Sequence, residues 1–126
     1  MYIMKYSLLL ISHFMNPRNN GKLDDYNVYG EGYNPSDGDT IRFFIKIEEG
    51  KIIQIKYLVK GCPRAIASSS YTSELVKGMR VEDVLNMDES NIGKALELDD
   101  EKFDCIPLPL RTIKKAIKSH SKEKFL

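Results

Sequence analysis

The sequence has few cysteines, almost no charge imbalance and no long apolar run. It contains two cysteines in 126 residues, and they do not form a C-x-x-C pair. A chain of this length builds a core without disulfides, and the paired thiols of a zinc ribbon are absent. The 19 basic and 18 acidic residues give a formal net charge of +1. Charge therefore gives no reason to expect binding to nucleic acid or to an anionic membrane.

Length and composition predict one domain in the cytoplasm. The 126 residues, 42% of them hydrophobic, are typical of a globular protein, so we expect a single domain over residues 1–126. The apolar run at residues 8–11 is too short to cross a bilayer, and no small-residue cleavage site follows it. We therefore expect a cytoplasmic protein that does not contact membranes.

Alternating apolar residues predict a three-stranded antiparallel sheet. Residues 41–48 and 53–60 each alternate apolar and polar side chains, and the short connection at Glu49-Gly50 predicts that these two strands form a hairpin. In the second strand, the alternation places Ile53 on the same face as Ile55. Residues 26–33 predict a weaker third strand, because two glycines interrupt it.

Helical spacing of apolar residues predicts helices that cover mainly one face of this sheet. The first helix spans residues 3–14, and its apolar residues Leu8, Ile11 and Met15 should lie against the sheet. A helix of small residues begins at Pro63 and ends before Gly78. Shorter helical pieces follow at residues 81–85 and 92–98, and a final helix surrounds residues 110–117. The predicted class is α+β, with a three-stranded antiparallel sheet and helices packed mainly on one face.

The two cysteines occupy similar positions in this prediction. Cys62 follows a strand and precedes the helix that begins with Pro63. Unpaired N–H groups and the helix dipole create a positive potential there, which stabilises a thiolate. Cys105 likewise precedes prolines that open a helix. We expect both thiols at one edge of the sheet, close enough to form a disulfide or to share a metal.

Three aspartates extend the pair of thiols into a candidate metal site. Asp37 and Asp39 flank Gly38 in the loop before the second strand, and Asp104 directly precedes Cys105. Two thiolates and up to three carboxylates are sufficient for the four ligands of a tetrahedral metal. Aspartate and glycine in such a loop more commonly form a tight turn, and a metal role depends on their combination with the cysteines.

Several segments together resemble the IscU/NifU-type iron–sulfur cluster assembly scaffolds. Residues 13–21 read H-F-M-N-P-R-N-N-G, residues 34–39 read N-P-S-D-G-D, and residues 61–70 read G-C-P-R-A-I-A-S-S-S. The corresponding family patterns are H-F-x-N-P-R-N-x-G, N-P-x-C-G-D and G-C-x-x-A-I-A-S-S-S. The match continues through residues 74–78, Cys105 and residues 115–118, and it covers nearly the whole chain.

The resemblance implies an IscU/NifU-like α+β scaffold. It also implies a [2Fe–2S] cluster, or iron, bound by three cysteines with an aspartate or a histidine nearby. A cysteine desulfurase is the implied sulfur donor, and acceptor apo-proteins are further candidate partners. Asp39, Cys62 and Cys105 carry over to this chain as cluster-binding residues. Asp37 stands where the family has its first cysteine, and Asp104 stands where the family commonly has a histidine.

These two replacements change the chemistry of the predicted site. The carboxylate of Asp37 is a hard oxygen ligand in place of a soft sulfur, so we expect weaker cluster binding, and zinc is an alternative to the cluster. Asp104 adds negative charge, which Arg64 is placed to offset. Residues 98–102 read L-D-D-E-K where many members have L-P-P-V-K. We therefore do not expect the Hsp70-type chaperone interaction that this proline segment supports.

Three functions are compatible with the sequence. The first is a scaffold with an altered ligand set, in which Cys62 and Cys105 accept sulfur or bind iron. The second is a non-scaffold paralogue that binds a desulfurase without building clusters. The third is a site for a single zinc or iron ion with a structural or storage role.

The sequence does not predict an enzyme. No Ser–His–Asp or Cys–His arrangement with an orienting third group is apparent. His13 ends a predicted helix, where packing or capping is the commoner role for a histidine. The serines at residues 68–70 are interpreted as small packing residues, and Arg18 and Asn19 as residues that fix the loop beneath the site.

Overall fold

The computed structural model describes residues 6–98 and 104–124, and the side chains of its last helix up to His120. Within these ranges the chain forms a helix, three strands and four further helices. These are α1 (Leu8–Met15), β1 (Val28–Asn34), β2 (Asp39–Glu48), β3 (Lys51–Lys60), α2 (Pro63–Val76), α3 (Val81–Asn86), α4 (Ser90–Leu96) and α5 (Leu108–Lys124). No helix of the described residues is long and apolar enough to cross a membrane.

The three strands form an antiparallel sheet in the order β1-β2-β3. Glu49 and Gly50 join β2 to β3 with φ angles of 51° and 76°, which is the left-handed pair that a two-residue type I′ turn requires. The register shifts between Lys46 and Ile47. As a result Ile52 is fully buried, whereas Ile53 is 39% exposed. The hairpin is confirmed, but the predicted inward position of Ile53 is wrong, because the irregularity places one extra residue in β3.

Helices α2 and α5 cover the sheet and enclose the core. α5 contacts β1 and β2, α2 contacts β3, and the two helices contact each other. Their apolar residues bury Ile41, Phe43 and Ile45 of β2 completely. Gly32 allows α5 to approach β1 closely, because a Cβ at this position would overlap the side chain of Thr112. The predicted α+β class, with helices mainly on one face, is confirmed.

Helix α1 packs differently from the prediction. It lies mainly against α2 rather than against the sheet, and its buried residues are Leu10 and His13. The face that was predicted to be buried is exposed in the structure, and it consists of Leu8, Ile11 and Met15. The prediction is wrong because α2 offers small side chains and hydroxyls, which suit a histidine better than a row of large apolar residues.

Candidate metal centre

Four of the five predicted ligand residues meet at one edge of the sheet. Asp39 is the first residue of β2, Cys62 caps the start of α2, and Cys105 lies in the turn before α5. Together with Asp37, these residues place one ligand atom each within 4.8 Å of all the others. Asp104 is exposed and lies outside this group. We call the four grouped residues the four-donor site.

Asp39 is fully buried and is held from both sides. The backbone N–H of Cys62 donates a hydrogen bond to its Oδ1 at 2.9 Å, and the Asn34 side chain donates to its Oδ2 at 3.2 Å. Gly61 provides the space for this carboxylate, since a Cβ there would lie 2.8 Å from Asp39 Cγ. The carboxylate is therefore fixed in orientation, with Oδ2 3.9 Å from the Cys62 sulfur.

Asn34 positions both carboxylates, a role that the sequence did not reveal. Its side-chain amide donates to Asp37 Oδ2 at 3.3 Å as well as to Asp39. The side-chain Oδ1 of Asn34 accepts a hydrogen bond from the backbone N–H of Ser36 at 3.2 Å. The backbone carbonyl oxygen of Asn34 accepts one from the backbone N–H of Gly38 at 2.7 Å. An asparagine that precedes two aspartates in a short loop is the available signal, because its side chain can bridge the turn.

The two thiols are spaced as ligands of a single metal ion. Cys62 and Cys105 are both free, and their Sγ atoms are 3.7 Å apart. Two sulfurs that each lie about 2.3 Å from a tetrahedral metal are separated by about 3.8 Å. Cys62 is half-buried, whereas Cys105 is fully buried. The donor set of two thiols and two carboxylates therefore fits iron or zinc in geometry, although half of it is hard oxygen.

Arg64 is the positive group beside the thiols. Burial alone would lower the pKa of its guanidinium, but the hydrogen bond to Cys105 and the charges of Cys62 and Cys105 raise this pKa above its usual value. Burial, and then the charge of Cys62, raises the pKa of the Cys105 thiol to about 12, and the Arg64 hydrogen bond opposes this shift. The Cys105 thiol is therefore protonated near neutral pH, and a metal ion that binds its sulfur displaces this proton.

The serine-rich stretch of α2 helps to position the segment that carries Cys105. Ser68 is fully buried, and its hydroxyl donates to the carbonyl oxygen of Ile106 at 2.6 Å. Ser69 and Ser70 are fully buried as well. Their interpretation as small packing residues is confirmed, and Ser68 adds a direct tie between α2 and the turn before α5.

A second polar cluster joins α1 and the loop that follows it to the middle of α2. His13 Nδ1 lies 2.7 Å from Ser70 Oγ, and the backbone N–H of Arg18 donates to the same hydroxyl at 2.9 Å. Asn19 donates from its side-chain amide to Ser73 Oγ at 3.0 Å. We call these five residues the histidine–serine cluster. His13 therefore contacts a serine of α2, in agreement with the structural role that the sequence suggested for it.

Within the histidine–serine cluster, the ring of His13 is shielded from water. His13 is 1% exposed, and its ring packs edge-on against Tyr71 with centroids 5.5 Å apart. Burial lowers the pKa of His13, the charge of Arg18 lowers it further, and the charge of Glu74 raises it. The Glu74 carboxylate lies 3.8 Å from His13 Nε2. The net effect favours the neutral imidazole in the folded protein.

Comparison with known proteins identifies the family. Residues 5–125 match the NifU-like N terminal domain. The chain is 36% identical over 113 residues to iron-sulfur cluster assembly scaffold protein IscU 1 of Archaeoglobus fulgidus, which covers 89% of this chain and 74% of the relative. It is 38% identical over 124 residues to iron sulfur cluster assembly protein 1 of Trachipleistophora hominis. That alignment covers 96% of this chain and 90% of the relative. The chain belongs to the NifU-like N-terminal domain family of iron–sulfur cluster assembly scaffolds.

A solved structure supports the same fold. The crystal structure of the N-terminal part of a nitrogen-fixing NifU-like protein from Brucella abortus superposes with a TM-score of 0.78. The superposition covers 98% of this chain and 99% of the other, at 14% sequence identity. The predicted resemblance is thereby confirmed in sequence and in fold. The family is one of scaffolds rather than catalysts, which confirms the prediction that the chain is not an enzyme.

The expectation about the chaperone interaction concerns residues 98–102. The L-D-D-E-K segment at residues 98–102 falls, except for Leu98, outside the described residues. The predicted lack of an Hsp70-type chaperone interaction therefore stays a prediction. Asp104 lies just beyond this segment and is exposed, outside the four-donor site.

Proposed function

We propose that this protein is an assembly scaffold that binds iron, and then a [2Fe–2S] cluster, through Asp37, Asp39, Cys62 and Cys105. Iron and the cluster are its cargo. One observation carries the proposal, namely the four ligand atoms that lie within 4.8 Å of one another. We leave the exposed Asp104 out of the ligand set, although the sequence suggested it as a fifth candidate.

The mixed donor set favours transient binding. A single iron ion accepts both carboxylates and both thiolates, since iron binds oxygen and sulfur ligands alike. A cluster prefers thiolates, so two carboxylates should hold it weakly and ease its transfer to acceptor apo-proteins. We propose a cysteine desulfurase as the sulfur source, a single domain over residues 1–126 and a cytoplasmic location.

Anaerobic reconstitution tests this function. The purified chain is incubated with ferrous iron, cysteine and a cysteine desulfurase, and thiolate-to-iron charge-transfer absorption is recorded. We expect a cluster that a chelator removes readily. The variant Asp37→Cys should give a higher yield and slower loss to the chelator, because a third thiolate replaces a hard ligand.

The matched control is Ser36→Cys. It adds a thiol to the same exposed loop, one residue away from the four-donor site, and it should leave the yield at the level of the parent chain. Absence of charge-transfer absorption in both the parent and Asp37→Cys would overturn the scaffold function. An equal gain in the two cysteine variants would show that position 37 has no special role.

A second candidate is a paralogue that holds one zinc or iron ion, or binds a desulfurase, without building clusters. The Sγ separation of 3.7 Å favours this candidate, because it fits two ligands of a single tetrahedral ion. Metal analysis of the purified protein distinguishes the two functions. One tightly held zinc per chain that blocks cluster reconstitution would support the single-ion site over the scaffold.

A further inference from the structure

The two thiols of the four-donor site have a chemical capacity beyond metal binding. Cys62 and Cys105 are the only cysteines of the chain, and their Sγ atoms are in contact at 3.7 Å. Asp37, which takes the place of a cysteine in the family pattern, cannot carry a sulfur atom. Any sulfur that is delivered to this site in the zero-valent state is therefore bound to one of two thiols that touch each other.

The burial of the two cysteines gives them different roles. Cys62 is half-buried at the start of α2, whereas Cys105 is fully buried behind it. An incoming persulfide therefore reaches Cys62 first. Arg64 hydrogen-bonds Cys105, and a guanidinium at that point stabilises the thiolate form of Cys105, which is the form that attacks. The geometry thus pairs an accessible acceptor thiol with a buried second thiol.

We propose that Cys62 accepts a sulfur atom from a persulfide donor and that Cys105 releases this atom as sulfide. This inference rests on the proposed scaffold function. Cys105 Sγ attacks Cys62 Sγ, and the bond between Cys62 Sγ and the terminal sulfur breaks. The terminal sulfur takes two electrons and leaves as sulfide, carrying its own proton and the proton of the Cys105 thiol. The two cysteines supply the electrons and become a disulfide.

The step is stoichiometric rather than catalytic. The Sγ atoms must approach from 3.7 Å to a bond length of about 2.05 Å, which closes the four-donor site by removing both of its thiolates. A dithiol reductant must then open the disulfide before iron binds. Sulfide release and metal binding therefore alternate on the same pair of cysteines, and the chain provides the electrons for one sulfide itself.

A single-turnover experiment tests this inference on the full chain. Reduced, metal-free protein is mixed anaerobically with one equivalent of glutathione persulfide and a chelator, without any added reductant. Released sulfide is quantified, and the mass of the intact protein is measured. We expect one sulfide per chain and a protein that is lighter by two hydrogens, the signature of an internal disulfide.

Variants assign the two roles. Cys105→Ser and Cys105→Ala should each gain one sulfur atom and retain it, with sulfide release slowed about a hundredfold, because the intramolecular attack is lost. Cys62→Ser should remain unmodified, since Cys105 is shielded. The control Ser36→Ala changes an exposed hydroxyl in the neighbouring loop and should behave as the parent chain does.

The outcomes separate this inference from the scaffold function. A parent chain that keeps a stable persulfide, or a Cys105→Ser variant that releases sulfide as fast as the parent, would overturn the release step. Neither result affects iron reconstitution, which is measured independently. Conversely, a failed reconstitution together with normal sulfide release and disulfide formation would count against the scaffold and not against the release step.

Discussion

The four-donor site and the histidine–serine cluster are both built on α2, yet they relate to the family pattern in opposite ways. Ser70, which binds His13, is fully buried, and this cluster retains the family residues. Around the metal centre, the two positions that depart from the family pattern are Asp37 and Asp104. Both of these residues are exposed, whereas the matching Asp39 is fully buried.

The two sites differ in how much a residue replacement should affect folding. Replacing a buried polar residue leaves its partner without a hydrogen bond, which costs about 1–3 kcal/mol. An exposed ligand is hydrated when the metal is absent, so exchanging it alters the chemistry with little effect on folding. The two replaced positions, Asp37 and Asp104, are therefore exposed, whereas Asp39 and Ser70 keep the family residues in buried positions.

The largest expected effect concerns the buried cluster. His13→Ala should lower the free energy of unfolding by about 2–4 kcal/mol, because it removes a packed ring and a hydrogen bond to Ser70. Denaturant unfolding measures the change. Leu8→Ala on the same helix is the control, since Leu8 is 85% exposed, and it should stay within about 0.5 kcal/mol of the parent. Equal losses in the two variants would contradict the contrast between buried and exposed positions.

The next effect concerns the metal centre. Gly61→Ala should weaken cobalt(II) binding by about tenfold or more, because the new methyl group displaces the Asp39 carboxylate while both thiols remain. Absorption titration with cobalt(II) reports the affinity and the thiolate ligation separately. Lys60→Ala, at the exposed neighbouring residue, should bind cobalt(II) as the parent does. Unchanged affinity in Gly61→Ala would show that Asp39 is not a ligand.

A smaller effect is expected in the pH dependence of the free energy of unfolding, to which His13 of the histidine–serine cluster contributes. Burial, reinforced by Arg18, lowers the pKa of His13 below its value of 6.5 in the unfolded chain. The associated stability is present above about pH 6.5 and is lost as the pH falls from there toward the folded-state pKa. The free energy of unfolding should therefore drop between pH values of about 7.5 and 5.5, and it should drop less in His13→Gln. Equal slopes for both proteins would mean that His13 does not titrate differently on folding.

The smallest effect is expected at Asp104. Asp104→Asn should change the cobalt(II) affinity by less than about threefold, because an exposed charge outside the four-donor site interacts weakly with the bound ion. The parent chain and Gly61→Ala, titrated in parallel, give the reference values. If Asp104→Asn lost as much cobalt(II) affinity as Gly61→Ala, Asp104 would have to be counted as a ligand. The contrast between Asp37, inside the four-donor site, and Asp104, outside it, would then not hold.

Local sequence signals were sufficient for the sheet, for most helices and for the candidate ligands. The turn at Glu49-Gly50 and the helix start at Pro63 follow from backbone preferences of the residues themselves. The motif match predicted Asp39, Cys62 and Cys105 as candidate ligands because it extends over separate segments in a fixed order. These features depend on neighbours along the chain or on a pattern of residue types, and both can be read directly from the amino-acid sequence.

Only the tertiary structure decided which faces are buried and which ligands meet. The shift between Lys46 and Ile47 turned Ile53 outward. In α1, His13 is buried with Leu10 against the small side chains of α2, whereas Met15 is exposed. The space beside Gly61 and the amide of Asn34 fixed the Asp39 carboxylate near the thiols. Such outcomes depend on contacts between residues that are distant in the chain, and no local preference encodes them.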